Sequence, residues 1–235
     1  MMNAPAAVVE APESGAHQTA YAYIKEEILA LRLKPHSRLN ANELAARLGI
    51  SRTPVREALS RLEHDGLVQR ESVGGFRVHA MSLKEIVDIY RVREALEVEA
   101  ALEALPHLTP EVLKELAALL AAGELLLDPA KYAEALVANR RFHASIVRTS
   151  GNAMLEAIMR PIADRVRLVG AMLIHRHSKR SREILDENKA ILEALHTGDP
   201  ARVEEAVRNH VRRAREHASN LLARDHGQLF IASGP

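Results

Sequence analysis

The chain has 235 residues, of which 47% are apolar, only 3% are aromatic and none is Cys, a composition of helices packed on helices that excludes disulfides, thiolate metal sites and a cysteine nucleophile. Formal net charge is +1, yet residues 19–80 carry ten Lys/Arg against seven Asp/Glu while the remainder after residue 80 balances to zero. A basic module joined to a neutral one is therefore expected, and no run approaches the ~20 apolar residues that cross a bilayer.

Residues 1–17 hold two prolines, two acidic residues and no basic start, and read as a disordered tail. From Thr19 to Leu31, Tyr23, Ile24, Ile28 and Leu31 recur at helical spacing before Pro35, which predicts a first helix. Asn40 with Glu43 three residues later forms a capping-box pattern ahead of Leu44 and Leu48, and Gly49 stands where a helix would stop. In "SRTPVREALSRLEHDGL" Thr53 is expected to cap a third helix with Pro54 at its first position, its inner face carried by Val55, Leu59 and Leu62. "GLVQRE" and "GFRVHA", separated by Gly74-Gly75, then predict a β-hairpin. Three helices and a hairpin within residues 18–80 spell a winged helix-turn-helix.

Beyond the cap-like "MSLKE", six amphipathic helices are expected at about 83–105, 110–126, 130–149, 152–176, 178–197 and 200–225, followed by a short tail at 226–235. Pro, Gly, Asn, Asp or Ser marks every break, and "HRH" at 175–177 reads as a surface connection. The fold class is thus mainly α, a winged helix-turn-helix followed by a six-helix bundle.

A helix-turn-helix presents the N-terminal residues of its second helix to the major groove. Arg52, Thr53 and Arg56 cluster there, where free backbone N–H groups also attract phosphate. Arginine can bind guanine O6 and N7 in bidentate fashion, and Gly74, Gly75 and Arg77 place a wing beside the sugar-phosphate chain. The run "LNANELAARLGISRTPVREALSRLEHDGLVQRESVGGFRV" resembles the DNA-binding domain of GntR-family bacterial transcription regulators. The resemblance implies operator contacts from Arg52, Thr53, Arg56 and the wing glycines, with Asn42 where some members carry a further arginine.

In the helical half, Asn139 and His143 lie on the apolar line Leu136, Phe142, Ile146; Asn188 lies among Ile184, Leu185, Ile191; His210 lies among Val203, Val207, Val211; and Arg93 with Glu97 interrupts Ile86, Ile89, Leu96. Inward polar groups on four helices predict a shared ligand cavity, since each would cost roughly 1–3 kcal/mol if left unpaired. "YRVREALEVEAA", "NRRFH…SGN" and "HTGD…H" resemble the FCD effector domain of the FadR subfamily, and six helices suggest its VanR-like branch. The resemblance implies a homodimer, able to pair into a dimer of dimers, acting in the cytoplasm as a repressor whose small, carboxylate-bearing effector binds in this domain. Many such domains hold a divalent metal such as zinc at the positions that read Asn139, His143, Asn188 and His210 here. Only His143 and His210 survive as imidazole ligands, and a neutral Asn is a poor ligand for zinc. The competing expectation is direct recognition of the effector by Arg93, Asn139, His143, Asn152, Asn188 and His210. An enzyme using the same bundle for metal-assisted hydrolysis lacks the carboxylate base such chemistry needs.

Overall fold

A computed structural model of the protein describes residues 13–72, 74–124, 127–128, 131–173 and 178–224, which divide into two compact units at Ala80/Met81. The expected tails before residue 13 and after 224 and the "HRH" connection lie outside the described residues.

The first unit contains α1 (Glu13–Leu29), β1 (Arg38–Leu39), α2 (Ala41–Leu48), α3 (Arg52–His64), β2 (Val68–Arg70) and β3 (Phe76–Val78). Helix α1 begins earlier than the expected end of the tail at residue 17. It also stops two residues short of Leu31, whose positive φ of 57° breaks the helical path. Ala20, Ile24 and Ile28 of α1, spaced by four, are fully buried in a core shared with Val55, Ala58, Leu59 and Leu62 of α3. Tyr21 adds a polar tie: its hydroxyl donates to Asp65 Oδ2 at 2.6 Å just beyond α3, and Arg61 stacks over its ring at 4.3 Å. The Asp of "HDGL" thus anchors the end of α3 to α1, and Arg61, still exposed, covers the Tyr21 ring.

Asn40 caps α2 by accepting from Asn42 N, while its amide donates to Glu43 at 2.9 Å. The tight turn between α2 and α3 requires Gly49, which adopts φ 66° so that the chain can reverse at once. The N-cap of α3 is Ser51 rather than Thr53, which moves Pro54 from the first to the third helical position. There its missing N–H still costs nothing, because the first four amides of a helix have no internal partner.

The hairpin is one strand richer than its sequence indicates. β3 is central, pairing antiparallel with β2 (Gln69 opposite Arg77) and with β1 (Leu39 opposite Phe76).

The second unit comprises α4 (Leu83–Ala104), α5 (Pro110–Glu124), α6 (Tyr132–Thr149), α7 (Ala153–Leu173), α8 (Ser178–Thr197) and α9 (Pro200–Arg224), with a short 3-10 turn at Leu105–His107. A reciprocal capping box between Ser82 and Glu85 starts α4. α4 runs against α9 and also packs on α6 and α7, while α5 and α9 each pack on α8. Ala100, Ala101 and Ala104 are fully buried and let neighbours approach α4 closely, whereas Arg93, Glu94 and Glu97 bring charge into the same helix interior.

Candidate functional sites in the two units

In the first unit, Asn42, Arg52, Arg56, Gly74 and Gly75 line one open cleft of about 370 Å³ together with Asn40 and Arg70. The turn before α3 brings Arg52 and Arg56 to one wall, and the wing forms the other. Gly74 and Gly75 have φ of 88° and 101°, a conformation side chains disfavour, so the wing tip is bare backbone. Thr53 is exposed at the same helix end but does not line the cleft.

The basic residues of this unit separate into two groups. Arg77 donates to Glu71 through two nitrogens and to the His36 carbonyl at 2.9 Å, and Arg38 lies 3.1 Å from the other Glu71 oxygen. Hydrogen bonding from Arg77, with Arg38 adding its charge, holds the Glu71 carboxyl below its usual range. Arg77 therefore braces the wing. Arg70 is likewise held by Glu63 at 2.9 Å and lies over the Phe76 ring. Arg52 and Arg56 differ: among the described residues neither has a hydrogen-bond or ion-pair partner.

In the second unit the inward polar residues form two Arg–Glu–His chains that meet at stacked imidazoles. Arg93 Nε donates to Glu97 at 2.6 Å, and Glu97 Oε2 lies 3.0 Å from His143 Nδ1. Arg180 donates to both oxygens of Glu187 at 2.7 and 3.0 Å, and Glu187 Oε2 lies 3.0 Å from His210 Nδ1. The His143 and His210 rings stack 4.7 Å apart at 25°. Burial opposes charge on Glu97, but Arg93 and His143 outweigh it and hold the carboxyl far below its normal range. Burial also opposes ionisation of Glu187, and His210 and Arg180 overcome it. For His210 burial prevails: with His143 and Arg93 adding their repulsion against the hydrogen bond it donates to Glu187, its pKa is pushed down to about 4. His210 is thus neutral at pH 7, with its proton on Nδ1 toward Glu187.

Asn188 donates to Asn139 Oδ1 at 2.6 Å, so these two positions bond each other. Asn152 lies elsewhere. Its side chain accepts from Leu155 N at the start of α7 and donates to Glu103. Sequence reasoning missed Arg180 and Glu187, although their separation of seven residues puts both on the face of α8 that carries Asn188. It also missed Arg140 of α6 and Arg160 and Arg167 of α7. These three line a cavity of about 120 Å³ with Arg93, Glu97, Asn139, His143 and Met159. A smaller cavity of about 30 Å³, lined by Asn139, Ser181, Asn188 and apolar side chains such as Leu120 and Ile184, adjoins the same Asn139.

Residues 16–78 match the bacterial regulatory proteins of the gntR family, and residues 88–213 match the FCD domain. The chain belongs to the GntR family. This GntR regulator is 28% identical to the HTH-type transcriptional regulator YdhC of Bacillus subtilis (strain 168) over 86% of its own length and 90% of that protein's. It is 33% identical to an HTH-type transcriptional regulator in an unstable DNA locus of Streptomyces ambofaciens, over 87% and 89% of the two chains. Among solved structures it resembles E. coli McbR/YncC, with a TM-score of 0.75, 25% identity and coverage of 90% and 98%. It is accordingly a DNA-binding transcriptional regulator; its relatives are regulators, not enzymes. No described helix is long and apolar enough to cross a membrane.

FCD domains often hold a metal, and the side chains here do not fit one. Asn139 and Asn188 are bonded to each other, and His210 directs Nδ1 at Glu187 while its Nε2 lies 3.5 Å from the Arg93 guanidinium. Stacked imidazoles project their in-plane lone pairs side by side rather than toward one point, and a cation would have to sit beside buried Arg93. Among the described residues no group of three or more His, Asp or Glu could hold a metal ion.

Proposed function

We propose that the GntR regulator is a homodimeric repressor of the VanR-like branch. Residues 18–80 bind one half-site of an inverted-repeat operator, and residues 83–225 dimerise and bind a small acidic effector that releases the DNA. The observation that carries the DNA reading is the sorting of arginines. Arg38, Arg70 and Arg77 are neutralised within the protein, whereas among the described residues Arg52 and Arg56 have no side-chain partners in a cleft walled by the glycine wing. Charge left unpaired beside a helix N-terminus is charge available to bases and phosphates. Asn42, in the same cleft, supplies a neutral donor and acceptor. Thr53 and the backbone of Gly74 and Gly75 contact the sugar-phosphate chain. A cytoplasmic setting follows from the location of the DNA.

The effector reading rests on the 120 Å³ cavity, which gathers Arg93, Glu97, Asn139, Arg140 and His143 with Arg160 and Arg167 on one polar wall. An effector can shift DNA affinity only by binding the competent and incompetent arrangements unequally. Footprinting of the full chain on the DNA upstream of its own gene, with and without candidate acids, tests the scheme. Protection of two symmetric half-sites about one helical turn apart, lost when an acid is added, is the expected result. Protection of a single unpaired site, or protection indifferent to every acid, contradicts it.

A further inference from the structure

One face of α3 divides into two halves. Arg52, Arg56, Ser60 and Glu63 recur every three or four residues and so lie along a single line of the helix. Arg52 and Arg56, at its start, line the cleft without side-chain partners among the described residues. Ser60 and Glu63, further along, are bonded across to the wing. Arg70 of β2 donates from Nη2 to Glu63 Oε2 at 2.9 Å and to Ser60 Oγ at 3.4 Å, and from Nε to Glu63 Oε1 at 3.4 Å. Its guanidinium also lies over the Phe76 ring, 4.8 Å from the centroid. Arg70 is the cross-strand partner of Phe76, which directly follows Gly75. One side chain thus ties the line that carries Arg52 and Arg56 to the strand pair one residue from the bare wing tip. Among the described residues no other side-chain hydrogen bond joins α3 to β2 or β3.

Arg70 lines the same cleft as Arg52 and Arg56, but its chemistry is different. Paired with Glu63 it brings no net charge, and its fork is turned onto a carboxylate of the protein. A planar guanidinium bonded in this way fixes a direction as well as a distance, which a lysine ammonium does not. An exposed ion pair contributes little to stability by itself, so the consequence of this one is geometric. Binding bases through α3 and the sugar-phosphate chain through the Gly74-Gly75 backbone requires that the span between these two walls be held constant. We propose, building on the base-reading assignment above, that Arg70 is a positioning residue: through Glu63 and Ser60 it sets the span from Arg52 and Arg56 to the glycine wing, and so sets how strongly the operator is preferred over other DNA. Random duplex has no base register to lose, so its binding does not depend on this strut.

The test uses the full chain, its footprinted operator and a random duplex of equal length, with binding followed by fluorescence anisotropy over a range of salt. Arg70→Met/Glu63→Gln removes the strut, leaves net charge unchanged and keeps an apolar stem beside Phe76, while the Glu71–Arg77 brace still holds the hairpin together. Operator affinity should fall about 5- to 20-fold and random-duplex affinity should stay within about 2-fold, with an unchanged slope of log affinity against log salt. The swapped pair Arg70→Glu/Glu63→Arg rebuilds the ion pair in the opposite sense and should recover most of the lost preference. Full preference in the first variant overturns the proposal. A parallel loss on both duplexes, with a slope shallower by about 0.9 for each contact removed, also overturns it, because that is the mark of a phosphate contact. A swapped pair no better than the first variant overturns it too, since Arg70 would then touch DNA itself. Arg52→Ala/Arg56→Ala, measured alongside, separates the two claims. If that variant keeps the operator preference, base reading falls and the strut with it; if it loses the preference and Arg70→Met/Glu63→Gln does not, the strut alone falls.

Discussion

Acidification from pH 7 to 4.5 should destabilise the helical unit through His210. Its pKa falls from an ordinary 6.5 to about 4 because the ring is buried beside His143 and Arg93. Between these values the folded protein binds fewer protons than the unfolded chain, so the associated stability is complete above about pH 6.5 and drains away as pH falls toward 4. The full shift corresponds to about 3 kcal/mol, of which about 2 kcal/mol is lost by pH 4.5. Glu97 and Glu187, held below their normal range, contribute in the same sense as carboxylates of the unfolded chain protonate, from about pH 5 downward. Comparison with a variant that lacks the imidazole therefore isolates the histidine. Urea unfolding followed by circular dichroism at pH 7.0 and 4.5, on the natural chain and on His210→Asn, measures the difference. The natural chain should lose about 2 kcal/mol more than the variant. Equal losses, or an NMR titration that places the His210 imidazole near 6.5, would refute the reasoning.

Other predictions follow from particular contacts. Removing one member of the Arg93–Glu97 pair, as in Glu97→Ala, should cost roughly 3–5 kcal/mol by urea unfolding, because the partner charge stays buried. The double variant Arg93→Met/Glu97→Leu should recover much of that loss in stability while abolishing acid binding. Tyr21→Phe deletes the 2.6 Å bond to Asp65 and should lower the stability of the first unit by about 1 kcal/mol without altering base preference in a DNA-binding assay. Arg77→Ala should leave Glu71 with Arg38 alone and loosen the wing. Its expected signature is faster amide exchange at β3 together with weaker binding to operator and random duplex alike.

The helices were legible because their apolar spacing and caps agree. Asn40 and Gly49 bracket α2, and Ile24/Ile28 against Leu59/Leu62 define one core. Strand β1 was not, since Arg38-Leu39 is too short for an alternation to appear and its pairing with β3 is a long-range event. The cap of α3 shifted to Ser51 because Ser and Thr are both competent caps and only backbone geometry separates them. In the candidate sites, the inward positions of Asn139, His143, Asn188 and His210 could be read from periodicity, but their partners could not. Glu187 lies buried because Arg180 neutralises it and His210 donates to it, and Arg77 is occupied because Glu71 folds back across the wing. Such pairings are set by tertiary placement, on which periodicity is silent.

Base readout by Arg52 and Arg56 is the central claim, and fluorescence anisotropy on two labelled duplexes tests it most directly. One carries the footprinted upstream site and the other a random sequence of equal length. The natural chain should prefer the first by about 10³-fold or more. Each single alanine substitution should remove roughly 1–3 kcal/mol of that preference, and Arg52→Ala/Arg56→Ala should bring the two affinities close together. A double variant that retains the full preference would contradict the account.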